Sequence, residues 1–370
     1  MGGMSASAVV SAPPVRIGLV GAGFIARWVM DAVAVLPQAR VAAVASARPE
    51  HAAAFAAEHG IGASYATLEE MLAHGRPDGP TPLDVVYIGS PNALHADQAI
   101  AALEAGFHVL VEKPFALEPA QALAMVAAAR RHDRFLMEGW LPAFDPGTAA
   151  LRRTLPALLG DGPGPHRATL VKEQYSSRMD RLRAGELPPA FDPALGGGSL
   201  MDPGVYPVSL AIHLFGEPSR VSATGRMLDS GADSHGVVVL SYGRLGGACA
   251  RGGPEQGASP RSRESGPRTD LEVVCLHSKT SPAGIGCCIA SDRTVATFDD
   301  CQWPRTIKLT GPDGQEDLSV PDDGSPALAG ELAEVCRLVA SGARESDLHP
   351  LAASVASTRV LSRARHQLGR

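Results

Sequence analysis

The chain has 370 residues and a formal net charge of −6. Hydrophobic residues make up 45% and charged residues 19%. That is enough apolar material for packed cores in about two domains, and it excludes a disordered or fibrous chain. The acidic balance and 5% aromatic content exclude a basic, base-stacking surface for nucleic acid. The longest apolar runs, such as 122–129, stop well short of the ~18–20 residues of a membrane-spanning helix.

Residues 1–14 carry neither a cationic segment nor a long apolar core. They are expected to be a disordered tail rather than a signal peptide, and the protein is expected to be cytoplasmic. The first third then alternates strand and helix patterns. Strands are predicted at 15–20, 40–45, 84–88, 107–111 and 135–138, and helices at 24–35, 50–59, 95–105 and 120–132. Short β-α-β connections predict a doubly wound parallel sheet over 15–140, covered on both faces.

Beyond residue 140 the rhythm changes. Predicted strands at 167–171, 221–226, 237–242 and 306–309 are less uniformly apolar, as in an open sheet with one exposed face. A helix is predicted at 203–215, with Pro203 in its first turn. Two closing helices are predicted at 327–340 and 350–368, so residues 141–350 read as an α+β domain and 351–370 as a terminal helix. The stretch 251–291 is Gly-, Ser- and Pro-rich, with one apolar run at 271–276. It reads as an atypical long loop, either an insertion or a locally altered reading frame. The six cysteines (249, 275, 287, 288, 301 and 336) contain no C-x-x-C pair. Neither a metal site nor a disulfide framework is expected.

Gly21-Ala22-Gly23-Phe24-Ile25-Ala26 follows the first strand directly and opens a helix. This G-x-G-x-x-A pattern suits a dinucleotide: Gly21 makes the tight turn, Gly23 lets a pyrophosphate approach, and the helix N-terminus by Phe24 and Ile25 offers N–H groups. The second strand ends in Ala45-Ser46-Ala47-Arg48, with no acid before Glu50. An acid there would bind the ribose hydroxyls of NAD. Ser46 and Arg48 can instead bind a 2′-phosphate, so NADP is the expected cofactor and NAD the alternative.

Two further motifs follow. Residues 84–95 end in Pro91-Asn92-Ala-Leu-His95, and residues 102–114 run through Gly106 to Glu112-Lys113-Pro114. Together with the glycine fingerprint they resemble the Gfo/Idh/MocA oxidoreductase family, particularly its dihydrodiol-dehydrogenase and NADP-dependent xylose-dehydrogenase members. The likeness runs from residue 15 to about 146 and resumes at 196–218.

The resemblance implies that Pro91, Asn92, His95 and Glu112 belong to the cofactor site. It implies that Lys113 sits beside the nicotinamide and the reacting carbon. There a fixed cation can favour a developing oxyanion. Pro114 is expected to be cis, as in relatives. In Gly196-Gly-Gly-Ser-Leu-Met-Asp202-Pro-Gly-Val-Tyr206, the family pattern implies Tyr206 as general acid/base. Asp202, four residues earlier, shares a face with it if both are helical. Asp202 then orients Lys113 or substrate. A neighbouring ammonium is expected to lower the Tyr206 pKa. His213, seven residues on, and Trp140, near the hinge, are further substrate-site candidates.

The function so implied is hydride transfer between nicotinamide and a secondary alcohol or carbonyl of a small sugar, polyol or cyclic diol. The protein is expected to be a homo-oligomer, a dimer through the exposed sheet face. Two rival readings are a cofactor-sensing regulatory protein of the same fold and an NAD-dependent glycoside hydrolase.

Overall fold

The computed structural model describes residues 13–159, 166–243 and 271–369. Most of the expected tail, Cys249 and the first part of the expected loop lie outside the described residues.

The first unit runs β1 (Val15–Val20), α1 (Phe24–Ala34), β2 (Ala39–Ala45), α2 (Pro49–His59), β3 (Ala63–Tyr65), α3 (Leu68–His74), β4 (Val85–Ile88), α4 (His95–Glu104), β5 (His108–Glu112), α5 (Pro119–Arg131) and β6 (Leu136–Gly139). All strand pairs are parallel, in the order β3-β2-β1-β4-β5-β6. The interior strands are buried along most of their length because helices cover both faces. Sequence patterning missed β3 and α3, which are short. Thr67 starts α3 by accepting a hydrogen bond from the Glu70 N–H at 3.1 Å. Gly106 closes the α4 turn at φ +93°, a conformation that favours glycine.

The second unit contains α6 (Pro146–Leu159), β7 (Arg167–Glu173), α7 (Met179–Arg183), α8 (Val205–Phe215), β8 (Arg220–Met227), β9 (Asp233–Tyr242), β10 (Leu271–Ser278), β11 (Cys287–Ala290), β12 (Val295–Phe298), β13 (Ile307–Gly311) and β14 (Gly314–Asp317). Its eight-stranded sheet has the order β14-β13-β12-β11-β7-β10-β9-β8. Every pair is antiparallel except β7 with β10. Residues 271–291 therefore correct the long-loop expectation. Leu271–Ser278 is an interior strand, and Cys287-Cys288 lies in β11, where alternate side chains are buried.

The closing helices divide between the units. Leu332 and Val335 of α9 (Ala329–Ser341) pack with Ile17, Val44 and Leu110 of the parallel sheet. Val360 and Leu361 of α10 (Leu351–Gln367) pack with α8 residues on the larger sheet, while Leu351 and Val355 join the core under β4 and β5. Among the described residues no helix is long and apolar enough to cross a membrane.

Candidate active site

In the parallel sheet the strand order reverses between β1 and β4, and ligands of such sheets bind beyond the strand C-termini at that switch. The β1 end turns through Gly21 at φ +103°; a Cβ there would lie 2.8 Å from the Gly89 carbonyl oxygen. A Cβ on Gly23 would meet nothing within 4 Å. Helix α1 starts at Gly23 with no side-chain cap and no acid in its first turn. No side chain therefore takes its first N–H groups, and Phe24 and Ile25 of that turn line a cavity, the arrangement a pyrophosphate needs.

A cavity of about 600 Å³ opens in front of this turn, with Phe24, Ile25, Ser90, Pro91 and Asn92 on one side. Lys113, Asp202, Tyr206, Lys279 and Gln302 line it from β5 and the second unit. The glycine cradle and the uncapped helix fit a dinucleotide. Ser46 and Arg48 stand at the end of β2, outside this lining. The Arg48 N–H donates to Ser46 Oγ at 3.2 Å, and the exposed Arg48 guanidinium makes no ion pair with any described residue. It is available to a phosphate.

The other sequence-predicted cofactor residues are already engaged in structure. Both ring nitrogens of His95 meet backbone carbonyl oxygens, Pro114 at 2.9 Å and Ser90 at 3.0 Å, and the ring is fully buried. His95 thus ties the β4 and β5 ends together. Asn92 Nδ2 donates to the Gly196 carbonyl at 3.0 Å, joining the two units. Glu112 accepts the Tyr87 hydroxyl and, at 3.2 Å, the Lys113 N–H. Burial, only partly countered by Lys113, raises its pKa above the usual carboxylate range.

Lys113 follows β5 and precedes a cis peptide to Pro114. Its Nζ donates to Asp202 Oδ1 at 2.8 Å and lies 5.0 Å from the Tyr206 ring centre. Burial opposes the ammonium, but Asp202, then Tyr206 and Glu112, outweigh it and raise its pKa. Burial likewise opposes the Asp202 carboxylate. Lys113 and Lys279 overcome that and hold its pKa well below the ordinary range. The Tyr206 hydroxyl receives a hydrogen bond from Gln302 Nε2 at 3.0 Å. Its pKa is raised, first by burial; Lys113 pulls downward, while Asp202 and Glu112 push up. This corrects the expected lowering. The phenol does feel the Lys113 charge, but burial outweighs it and the Asp202 and Glu112 carboxylates offset part of it.

Two further expectations need correction. Helix α8 begins at Val205, so Asp202 sits in the preceding turn, before a second cis peptide, Asp202–Pro203. A turn, not a helical i,i+4 face, brings Asp202 and Tyr206 together. Trp140 and His213 do not line the cavity. Trp140 is fully buried in the core, and its ring packs in tilted contact with His213 and His349, at 5.3 and 5.2 Å between ring centres. Burial pushes the His213 pKa down to about 3, as expected for a neutral packing residue.

Sequence reasoning missed Lys279, Lys172, Gln302 and Trp303. Buried Lys279 reaches Asp202 Oδ2 at 3.2 Å and the Ala190 carbonyl at 3.1 Å. Lys172, 8% exposed in β7, pairs with Asp300 at 2.7 Å. A lysine among the apolar residues Leu170-Val171 was the one readable signal, since an interior strand position buries a charge only with a partner. Among the described residues no group of side chains could hold a metal ion.

Two family models match the sequence. One, described as the oxidoreductase family with an NAD-binding Rossmann fold, covers residues 15–140; the other, the GFO/IDH/MocA C-terminal domain, covers 173–252. The scyllo-inositol 2-dehydrogenase (NADP(+)) of Bacillus subtilis is 32% identical over 96% of this chain and 97% of its own. The chain belongs to the Gfo/Idh/MocA oxidoreductase family.

As a Gfo/Idh/MocA member it is a nicotinamide-dependent oxidoreductase of CH–OH groups. Trans-1,2-dihydrobenzene-1,2-diol dehydrogenase of Danio rerio is 28% identical over 96% of this chain and 97% of its own. The fold of this Gfo/Idh/MocA chain matches that of the aldose-aldose oxidoreductase of Caulobacter crescentus. The TM-score is 0.75 at 21% identity, over 96% of this chain and 97% of the other.

Proposed function

We propose that this Gfo/Idh/MocA enzyme uses NADP to interconvert a secondary alcohol and a ketone on a small cyclic polyol, diol or aldose, with Lys113 and Tyr206 managing the proton. The observation that carries the reading is the Lys113–Asp202–Tyr206 cluster in a cavity that the glycine turn opens onto. The names of the Bacillus subtilis and Danio rerio relatives support the substrate class.

The turn at Gly21 and Gly23, the start of α1, and Ser46 with Arg48 would hold the dinucleotide. When bound, it supplies the hydride acceptor or donor. Asp202 fixes the Lys113 ammonium, which is thereby kept charged and positioned to donate a hydrogen bond to a substrate oxygen. Tyr206 handles the proton at its phenol oxygen. Burial keeps that phenol protonated, which suits proton donation to a carbonyl oxygen and hence the reductive direction. The fixed charges do their work at this depth because water screens them little there.

The outer face of the larger sheet supports a dimer. Val239 and Val274 face one another across β9 and β10 and are only half-buried, whereas Val238, Leu240, Val273 and Cys275 on the other face are buried. Free thiols at Cys275, Cys287, Cys288, Cys301 and Cys336 suit a reducing cytoplasm.

The test is a screen of scyllo-inositol, aldoses and trans-dihydrobenzenediol with NADP and NAD, read as NADPH or NADH absorbance. Turnover of at least one with NADP is expected. Tight NADPH binding without turnover of any would favour the cofactor-sensing reading. Sugar release from a glycoside without net cofactor change would favour the hydrolase.

A further inference from the structure

Gln302 is 7% exposed and lines the cavity beside Tyr206. It belongs to none of the family motifs in the sequence. Its Nε2 donates to the Tyr206 hydroxyl oxygen at 3.0 Å. Its own position is set one residue pair earlier: the Gln302 N–H donates to Asp300 Oδ1 at 2.5 Å, and Asp300 Oδ2 accepts from Lys172 Nζ at 2.7 Å. Lys172 Nζ in turn lies 5.8 Å from the Tyr206 ring centre and 5.6 Å from that of Trp303. The ion pair therefore fixes the Gln302 backbone beside Tyr206, and the hydrogen bond to the phenol oxygen sets the side-chain amide.

A phenol has one proton to donate and lone pairs to accept with. An amide N–H fixed on the oxygen cannot receive that proton. The Tyr206 O–H must point elsewhere, and the cavity is the open side. The same N–H stays bonded when the proton leaves and is stronger toward the resulting anion, since hydrogen bonds to charged acceptors are about twice as strong as neutral ones.

We propose that Gln302, braced by the Asp300–Lys172 pair, is a positioning residue that aims the Tyr206 proton into the cavity and steadies the oxygen when the proton has gone. The inference rests on the reading of Tyr206 as the proton-handling group. The charged and titratable groups facing Tyr206 are Lys113 and Glu112 from β5, Asp202 from the turn before α8, Lys172 from β7 and Tyr87 from β4.

The experiment compares the parent with Gln302→Glu, Gln302→Leu and Tyr206→Phe in the full-length protein. The readout is the pH profile of kcat/KM for oxidation of whichever of scyllo-inositol or trans-dihydrobenzenediol the parent turns over. NADPH binding and the thermal transition report folding. Glutamate preserves the shape of Gln302 but replaces the N–H donor with an acceptor and adds a charge, whereas leucine removes the donor without adding one.

Expected for Gln302→Glu is a loss of roughly 10–10²-fold with the acidic limb moved up by about one pH unit. Expected for Gln302→Leu is a smaller loss with a shift in the same direction. In spectra with ¹³C at the tyrosine ζ-carbon, the Tyr206 signal, assigned by its absence in Tyr206→Phe, moves in both Gln302 variants. If Tyr206→Phe collapses turnover while Gln302→Glu keeps the parental limb and rate, the inference is overturned and the Tyr206 reading stands. If Tyr206→Phe itself keeps near-parental turnover, the Tyr206 reading fails and takes the inference with it.

Discussion

Asp202 Oδ1 lies 2.8 Å from Lys113 Nζ, although the two residues are 89 positions apart and belong to different units. This contact joins the end of a parallel strand to a turn of the second unit, beside the phenol of Tyr206. It means that a carboxylate already balances the charge of Lys113 at the cavity wall.

Tyr206→Phe keeps the ring and removes only the hydroxyl. Turnover should fall by ~10²–10⁴-fold while NADPH binding and the thermal transition stay near parental values. Lys113→Met should lose at least as much, because it removes both the proposed substrate contact and the cation facing the phenol. The double variant should be little worse than the poorer single, since residues that act as a unit are not additive. Steady-state kinetics of the four proteins checks this; additive losses would count against a shared step.

Arg48 is exposed at the end of β2 and makes no ion pair with any described residue. Arg48→Ala should weaken NADP binding by about 1.5–3 kcal/mol, the range for hydrogen bonds to charged groups, and leave NAD nearly unchanged. Titration of both cofactors by calorimetry measures this. Equal weakening of the two would remove Arg48 from the 2′-phosphate site.

The half-buried pair Val239 and Val274 predicts a dimer interface on the outer face of the larger sheet. Light scattering at micromolar concentration should give twice the chain mass of 38.3 kDa. Val239→Asp, which puts a charge in a desolvated contact, should shift the protein toward monomer. A monomeric parent would overturn the prediction.

Glu331 is 1% exposed, and neither of its carboxyl oxygens has a hydrogen-bond partner among the described residues. Burial, reinforced by Glu112 and Glu138, raises its pKa well above the ordinary value. A carboxyl whose folded pKa is raised binds more protons folded than unfolded, so its contribution to stability falls as pH rises above the unfolded value near ~4.3. Glu331→Gln removes that penalty. In urea unfolding the variant should gain on the parent from pH 4 to pH 8, by at least about 1 kcal/mol at the upper end. A gap independent of pH would mean that Glu331 is ionised in the fold.

The parallel sheet and its cofactor turn were legible in the chain because they depend on local rules. Val15 to Val20 is a mostly apolar strand, Gly21 relieves a turn that a Cβ would block, Gly23 leaves the space before the helix open, and α1 follows at once. Lys113 and Tyr206 were legible through short motifs. Apart from Asp202 in the same motif and Lys172 in its apolar strand, the remaining site was not, because nothing local marks it. Gln302 and Lys279 reach the cluster from loops at the edges of the second unit, where a hydrogen bond is made across more than 70 residues of chain. Trp140 and His213 stand near the motifs in sequence, but the fold turns them into the core. Even the sign of the Tyr206 pKa shift was a tertiary matter. The ammonium beside it could be read from the motif, but the burial of the phenol and the carboxylate that offsets part of the ammonium's charge depend on how the two units pack.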